Sequence, residues 1–171
     1  KGWTFREWAP NATEIYLVGD FNNWQVSPQY RLKKVKRSSG VWEINLKLDA
    51  IKHGDLYKLK IYWEGGEGER IPAYANRVVQ DETTKIFSAQ VWAPETPYVF
   101  RKKVFRAKTD PLMIYECHIG MAQEEEKVGT YTEFRDKILP RIKEQGYNTI
   151  QIMAIMEHPY YGSFGYQVSS F

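Results

Sequence analysis

Cysteine is almost absent. Cys117 is the single cysteine in 171 residues, so no disulfide can form within the chain. A reducing cytosol is the simplest compartment, and a cytoplasmic location is expected. No apolar run approaches the ~20 residues that a bilayer-spanning helix needs, so no membrane partner is expected. No secretory leader is visible, although the chain begins at Lys1 and not at methionine, which leaves a removed leader open. Histidine is scarce as well. Three His and one Cys are too scattered to suggest zinc. The run Glu124, Glu125, Glu126 lacks the spacing of a calcium loop, so no metal is expected. No glycine loop of the phosphate-cradling kind opens a helix, and no cofactor is expected. Charge of one sign is missing too, since the net charge is only +3. Lys33, Lys34, Lys36 and Arg37 form one basic cluster; Arg101, Lys102, Lys103, Arg106 and Lys108 form another. Nucleic-acid binders use such clusters to displace counterions. Here each lies between elements and reads as a solvated loop, so no nucleic acid is expected.

What is abundant is aromatic surface: 15% of residues, with six Trp and twelve Tyr. Much of this belongs to a core, which the 43% hydrophobic content supports. Sugar rings, however, present apolar C–H faces beside hydroxyls. Tyr and Trp match that pairing with a flat apolar body and a polar tip. A neutral polysaccharide would need aromatics and no strong charge.

Residues 1–93 read as short strands. Val41–Leu48 alternates, with Trp42, Ile44, Leu46 and Leu48 on one face and Glu43, Asn45 and Lys47 on the other. Leu56–Trp63 repeats the pattern, with Tyr57, Leu59, Ile61 and Trp63 opposite Lys58, Lys60 and Tyr62. Thr4–Trp8, Glu14–Gly19 and Phe87–Trp92 are further strands, separated by turn signals such as Pro10-Asn11, Gly19-Asp20 and Gly65-Gly66. Strands at this spacing predict an antiparallel sandwich. Residues 94–111, interrupted by Pro94, Pro97 and Pro111, read as a linker.

The pattern then changes. Leu112–Ile119 and Thr149–Met156 are nearly continuous apolar runs, as in parallel strands covered on both faces. Between them Phe134, Ile138 and Ile142 mark one helix face. Thr130 with Glu133 forms a capping box, Pro140 predicts a kink, and Gly146 is a stop. Strand, helix, strand is a βαβ unit. A complete eight-stranded barrel needs about 250 residues, so residues 112–171 read as an unfinished one. The fold expected is an all-β immunoglobulin-like sandwich followed by an incomplete α/β (TIM-type) barrel segment. The unpaired edges of such a segment predict self-association.

Few constellations carry chemistry. Cys117 and His118 are neighbours on a strand and point to opposite faces, which excludes a nucleophile–base dyad. Glu116 and Glu157 are the carboxylates nearest the two strand ends, but nothing in their placement brings them together as a glycosidase pair. Gly19-Asp20-Phe21-Asn22-Asn23-Trp24 is a turn holding two large aromatics. Trp24 there is either an exposed platform or a lid on the core, and spacing alone favours the lid.

Phe5-Arg6-Glu7-Trp8-Ala9-Pro10-Asn11-Ala12 and Val18-Gly19-Asp20-Phe21-Asn22-Asn23-Trp24 resemble a family-48 carbohydrate-binding module. Ile114-Tyr115-Glu116-Cys117-His118-Ile119-Gly120 resembles the first barrel strand of 1,4-α-glucan branching enzymes, which carry a family-13 glycoside hydrolase barrel. Met153 to Gln167, including His158-Pro159-Tyr160-Tyr161-Gly162-Ser163-Phe164-Gly165-Tyr166-Gln167, resembles the segment after their second strand. The resemblance implies a retaining transglycosylase that cuts α-1,4 glucan and rejoins it as α-1,6. An Asp nucleophile and a Glu acid–base perform this double displacement. In the family both acids come from later strands, so no catalytic residue is expected in this chain and no turnover by it alone. The substrate contacts implied are Tyr166, stacking on the sugar at the cleaved bond, then Trp24, Lys58 and, more loosely, Trp8. The second tryptophan platform of the module has no clear match. The implied partner is α-glucan: glycogen, starch or maltooligosaccharide. A debranching enzyme and a non-catalytic glycan-binding module are the alternatives.

Overall fold

The computed structural model describes residues 2–100 and 111–170. Its contacts form two compact units, Lys1–Val99 and Phe100–Phe171. The basic cluster between Arg101 and Lys108 lies outside the described residues.

The first unit is a sandwich. β1 (Gly2–Trp8), β4 (Val41–Lys47) and β3 (Lys33–Lys34) form one antiparallel sheet in the order β1-β4-β3. The second sheet runs β2 (Ala12–Gly19), β5 (Leu56–Trp63), β8 (Phe87–Gln90), β7 (Val78–Gln80). β6 (Gly66–Arg70) also pairs with β5, opposite its second half, while β8 takes Leu56 and Tyr57. The inward residues of both sheets make one core that includes Ile15, Leu17, Leu32, Trp42, Leu59, Ile61 and Ala89. The period of two places Tyr57, Leu59 and Ile61 inside.

Several boundaries depart from the sequence reading. β4 stops at Lys47, because its partner β1 begins at Gly2 opposite that residue. Among the described residues Leu48 has no cross-strand neighbour; it starts a 3-10 turn and is exposed. β8 ends at Gln90, which pairs with the first residue of β5, and Val91 continues into loop bonds with Asp55 and Gly54. Lys33 and Lys34 are not loop residues but a short edge strand, with the Lys34 ammonium 5.0 Å from the Trp42 ring centroid.

In the second unit β9 (Ile114–Cys117) and β10 (Thr149–Ile152) pair in parallel. Both are shorter than the apolar runs that predicted them, and they are not buried on both faces: Leu112, Met113, Ile114 and Ile152 are exposed. The helical stretch between them starts as α1 (Tyr131–Glu133), widens into a π-turn over Phe134–Ile138, and ends as α2 (Leu139–Glu144). The wide turn has a cause. Pro140 has no N–H to give the carbonyl four residues back, and its ring crowds that carbonyl. The preceding residue, Leu139, donates to Phe134 O, five residues back. The expected kink is thus absorbed as a π-bulge. Gly146 at φ +92 lies past the helix end. Cys117, Ile119, Phe134 and Ile142 form this unit's core.

Candidate functional site

The sequence-derived contacts fall into two groups, one in each unit. In the sandwich, the turn after β2 is held by its own side chains. Gly19 N–H donates to Asn22 Oδ1 at 2.9 Å, and Asn22 Nδ2 donates to Leu17 O at 3.0 Å. Asp20 accepts from Leu56 N at 2.7 Å and from Trp24 Nε1 at 3.0 Å. Asn23 and Trp24 both adopt positive φ. This clasp fixes the indole edge of Trp24 while leaving its ring 36% exposed and outside the core. The lid is Phe21 instead, packed against the core and 4.8 Å from Tyr30 between ring centroids. Trp24 is thus an exposed ring and not the lid that spacing alone favoured.

Lys58 pairs in register with Val18, next to the Gly19 that opens this turn. Its side chain is largely covered, and its ammonium lies 3.8 Å from Glu69. Lys60 is likewise paired with Glu67 at 2.8 Å. The outer face of β5 therefore presents compensated charge.

Trp8 closes β1 and is 59% exposed. The preceding Glu7 is buried, and its carboxylate accepts three bonds: from Trp8 N at 3.0 Å, Arg70 Nη2 at 2.9 Å and Ala73 N at 2.9 Å. Sequence reasoning missed this residue, because a carboxylate is ordinarily solvent-facing, whereas Glu7 shares the inward face of β1 with Trp3 and Phe5.

In the second unit the segment after β10 returns on itself. Glu157 bridges Ser170, and Ser169 N–H donates to Glu157 O at 2.8 Å. Within this loop His118 Nε2 meets Phe164 O at 3.0 Å, tying the loop to the carboxyl end of β9. Gly165, at φ +84, lies so close to Ala154 O that a Cβ would approach it to 2.2 Å. Gly120 leaves room for Tyr161, whose Oη would stand 2.5 Å from a Cβ there. A cavity of about 180 Å³ is lined by His118, Gly120, Tyr131, Ile152, His158 and Tyr161. Among the described residues, His118 Nδ1 and Tyr161 Oη are buried atoms without a hydrogen-bond partner. Tyr166 stands on the loop with its ring 67% exposed.

Cys117 is buried away from His118's contacts, and burial pushes its thiol up, with Glu116 adding to the effect. That is an inert structural thiol. Glu116 bonds to Gln151 across the two strands and not to Glu157. Among the described residues no group of three His, Cys, Asp or Glu is placed to hold a metal ion. Among them, too, no helix is long and apolar enough to cross a membrane.

Comparison with known proteins extends this geometry. Residues 1–75 match the family model of carbohydrate-binding module 48 (isoamylase N-terminal domain). The 1,4-alpha-glucan-branching enzyme of Dictyostelium discoideum is 44% identical over 179 residues, covering 99% of this chain and 25% of that protein. The enzyme of the same name from Aspergillus oryzae is 45% identical, covering 98% of this chain and 25% of that protein. The one from Saccharomyces cerevisiae is 41% identical, covering 100% and 26%. The chain thus spans about a quarter of the length of the curated relatives it matches. Among solved structures, the pullulanase from Bacillus acidopullulyticus superposes with a TM-score of 0.67 at 18% identity, over 91% of this chain and 21% of that one. The catalytic module of a multi-modular glycogen-degrading pneumococcal virulence factor gives 0.61 at 22% identity, over 92% and 26%. These distant structures share the fold. The sequence likeness is to 1,4-alpha-glucan-branching enzymes along nearly the whole chain, and the match to the carbohydrate-binding module 48 model covers its first 75 residues.

Proposed function

We propose that the chain is the amino-terminal part of a 1,4-α-glucan branching enzyme. In this reading residues 1–93 are an α-glucan-binding sandwich and 94–111 a linker. Residues 112–171 are the first strand, helix and second strand of a family-13 barrel. The observation that carries it is identity of 41–45% to branching enzymes over 98–100% of this chain. The distant fold likeness does not choose between branching and debranching; the sequence likeness favours branching.

The loop geometry supports the same reading. Barrel enzymes assemble their sites from loops at the carboxyl ends of the strands. Here the loop carrying Tyr166 is pinned to the end of β9 through His118, leaving the Tyr166 ring open for stacking against a sugar. Two buried polar atoms, His118 Nδ1 and Tyr161 Oη, lack partners among the described residues, and such an atom costs about 1–3 kcal/mol. They suit a site completed by further polypeptide or by sugar hydroxyls. Trp24, Trp8 and Lys58 are the module's proposed glucan contacts. The chemistry belongs to acids on later strands. One attacks the sugar and forms a glycosyl-enzyme as the other protonates the departing glucan oxygen; a sugar 6-hydroxyl then displaces the enzyme carboxylate, giving its proton to that acid–base residue. A single buried free thiol suits a cytoplasmic setting.

The test is linkage analysis of linear α-1,4 glucan incubated with the full-length protein. New α-1,6 bonds are expected. Loss of pre-existing α-1,6 bonds from a branched substrate, without new ones, would instead assign debranching. The 171-residue chain alone is expected to produce neither.

A further inference from the structure

We propose that the sandwich carries a second α-glucan site, in the cleft between Trp8 and Trp63, at the end opposite Trp24. This inference rests on the glucan-binding reading above and deepens it.

Trp63 is the last residue of β5, on the same alternation as buried Tyr57, Leu59 and Ile61, yet it is 44% exposed. Its position is built from β6. Gly66 is its cross-strand partner, and Gly68 follows on the same face. A Cβ on Gly66 would come within 2.9 Å of Trp63 Nε1, and one on Gly68 within 3.1 Å of Cη2. Those atoms are at opposite ends of the indole. The ring therefore lies lengthwise along the β6 backbone, in space that only two glycines leave free. Glycine weakens a strand interior, and its usual reason there is close approach of another group.

Trp8 forms the other wall. Its backbone is clamped at both ends: the N–H donates to Glu7 Oε1 at 3.0 Å, and the carbonyl accepts from Arg70 Nη2 at 3.0 Å. Ala9, Ala12, Pro10 and Ile61 complete the apolar lining, with Asn11 and Arg70 as polar groups. The cleft holds about 300 Å³, at the lower end of the ~300–1,000 Å³ typical of small-molecule sites.

The chemistry selects a neutral ligand rich in hydroxyls. Two indoles offer flat apolar faces for the C–H side of a sugar ring. Among the described residues Arg70 is the only charged side chain of the lining, and buried Glu7 already balances it at 2.9 Å, so an anion gains little here. Its Nε and Nη1 make no hydrogen bond among the described residues, leaving donors for hydroxyl oxygens. All these residues lie within the 1–75 segment that matches a carbohydrate-binding module.

The cleft is separate from the Trp24 turn. In the β2–β5 ladder Gly19 pairs with Tyr57 and Ala12 with Trp63. Trp63 lies six residue steps along β5 from Tyr57, roughly 20 Å at the rise of a strand. A short maltooligosaccharide meets each site independently. Glycogen, with many chain ends, engages both and gains from the raised effective concentration.

The experiment is a titration of the 171-residue chain with maltoheptaose, following the indole N–H signals by heteronuclear NMR and assigning each from a Trp→Phe variant. Saturable shifts are expected at Trp8 and Trp63. Trp3, whose indole donates to Leu48 O at 3.0 Å, should stay still. Trp63→Ala should raise the half-saturating sugar concentration for Trp8 about tenfold while leaving the response of Trp24 unchanged. Shifts at Trp24 with Trp8 and Trp63 unmoved would overturn the second site and leave the glucan reading standing. No response at any of the six indoles would remove the glucan reading itself. The unmodified chain decides between these outcomes even where the variant fails to fold.

Discussion

Glu7 joins three segments through one carboxylate. It holds the end of β1, the guanidinium of Arg70 and the backbone N–H of Ala73. Removing one member of a fully buried ion pair costs about 3–5 kcal/mol. Arg70 is nearly half exposed, so water recovers part of its charge, and a cost of about 2 kcal/mol is expected for Glu7→Gln. For a domain this size that lowers the melting temperature by roughly 10 °C, measurable by calorimetry. A shift within scan error would show that the carboxylate does not pin these segments. Trp24 supports a prediction about binding instead. Trp24→Ala should weaken retention in a glycogen affinity gel about tenfold with little loss of stability, since the ring contributes no core contact. Unchanged retention would remove Trp24 from the glucan contacts. At this scale the sequence showed residue types but not their surroundings. The GDFNNW turn was visible as a turn, yet which aromatic covered the core depended on the Asp20 clasp, a tertiary bond to Leu56. Trp63 as a surface ring was not visible, because its alternation assigned it inward. Only the glycines opposite it, once paired, showed that it lies along β6.

Elements were legible where the signal is local. β5 was read to the residue, and the capping box at Thr130 forms as expected: Thr130 N donates to Glu133 Oε2 at 3.0 Å, and Glu133 N to Thr130 Oγ1 at 3.2 Å. Elements were misjudged where a partner sets the boundary. β4, β8, β9 and β10 are each shorter than their apolar runs, because a ladder ends where its neighbour does. The cap has a pH signature. Lys127, with the amide and hydroxyl of Thr130, holds the Glu133 carboxyl down at about 2. A carboxylate depressed in the folded state stabilises above its unfolded value near 4.3, and that contribution fades as pH falls toward 2. Helix signal from the second unit should therefore decline between about pH 4 and 2. Glu133→Gln should flatten that part of the circular dichroism titration. Thr130→Ala, which removes a cap bond at all pH values, should cost about 1 kcal/mol at neutral pH as well. An identical acid limb in wild type and Glu133→Gln would assign the transition to other carboxylates.

The two units differ in how well each encloses its apolar surface. The sandwich has a core drawn from both sheets, whereas among the described residues the second unit's core cluster has four buried members, Cys117, Ile119, Phe134 and Ile142. Its sheet has two strands among the described residues. Parallel strands are ordinarily covered on both faces, and two strands rarely stand alone. Here Leu112, Met113, Ile114, Ile152, Ile155 and Met156 are exposed along and beside β9 and β10, and each strand keeps one edge without a partner among the described residues. Unpaired edges flanked by apolar side chains recruit other chains. The 171-residue chain should therefore self-associate, with its weight-average sedimentation coefficient rising from micromolar to near-millimolar concentration. Residues 112–171 expressed alone should associate more strongly or precipitate. Ile152→Lys places a charge at the exposed end of β10, a device by which natural edges resist pairing. It should lower the association at equal concentration without altering the sandwich melting transition. A monodisperse, cooperatively folding monomer of residues 112–171 at the highest concentration would mean that this unit closes on itself, and the unfinished-barrel reading of those residues would fall with it.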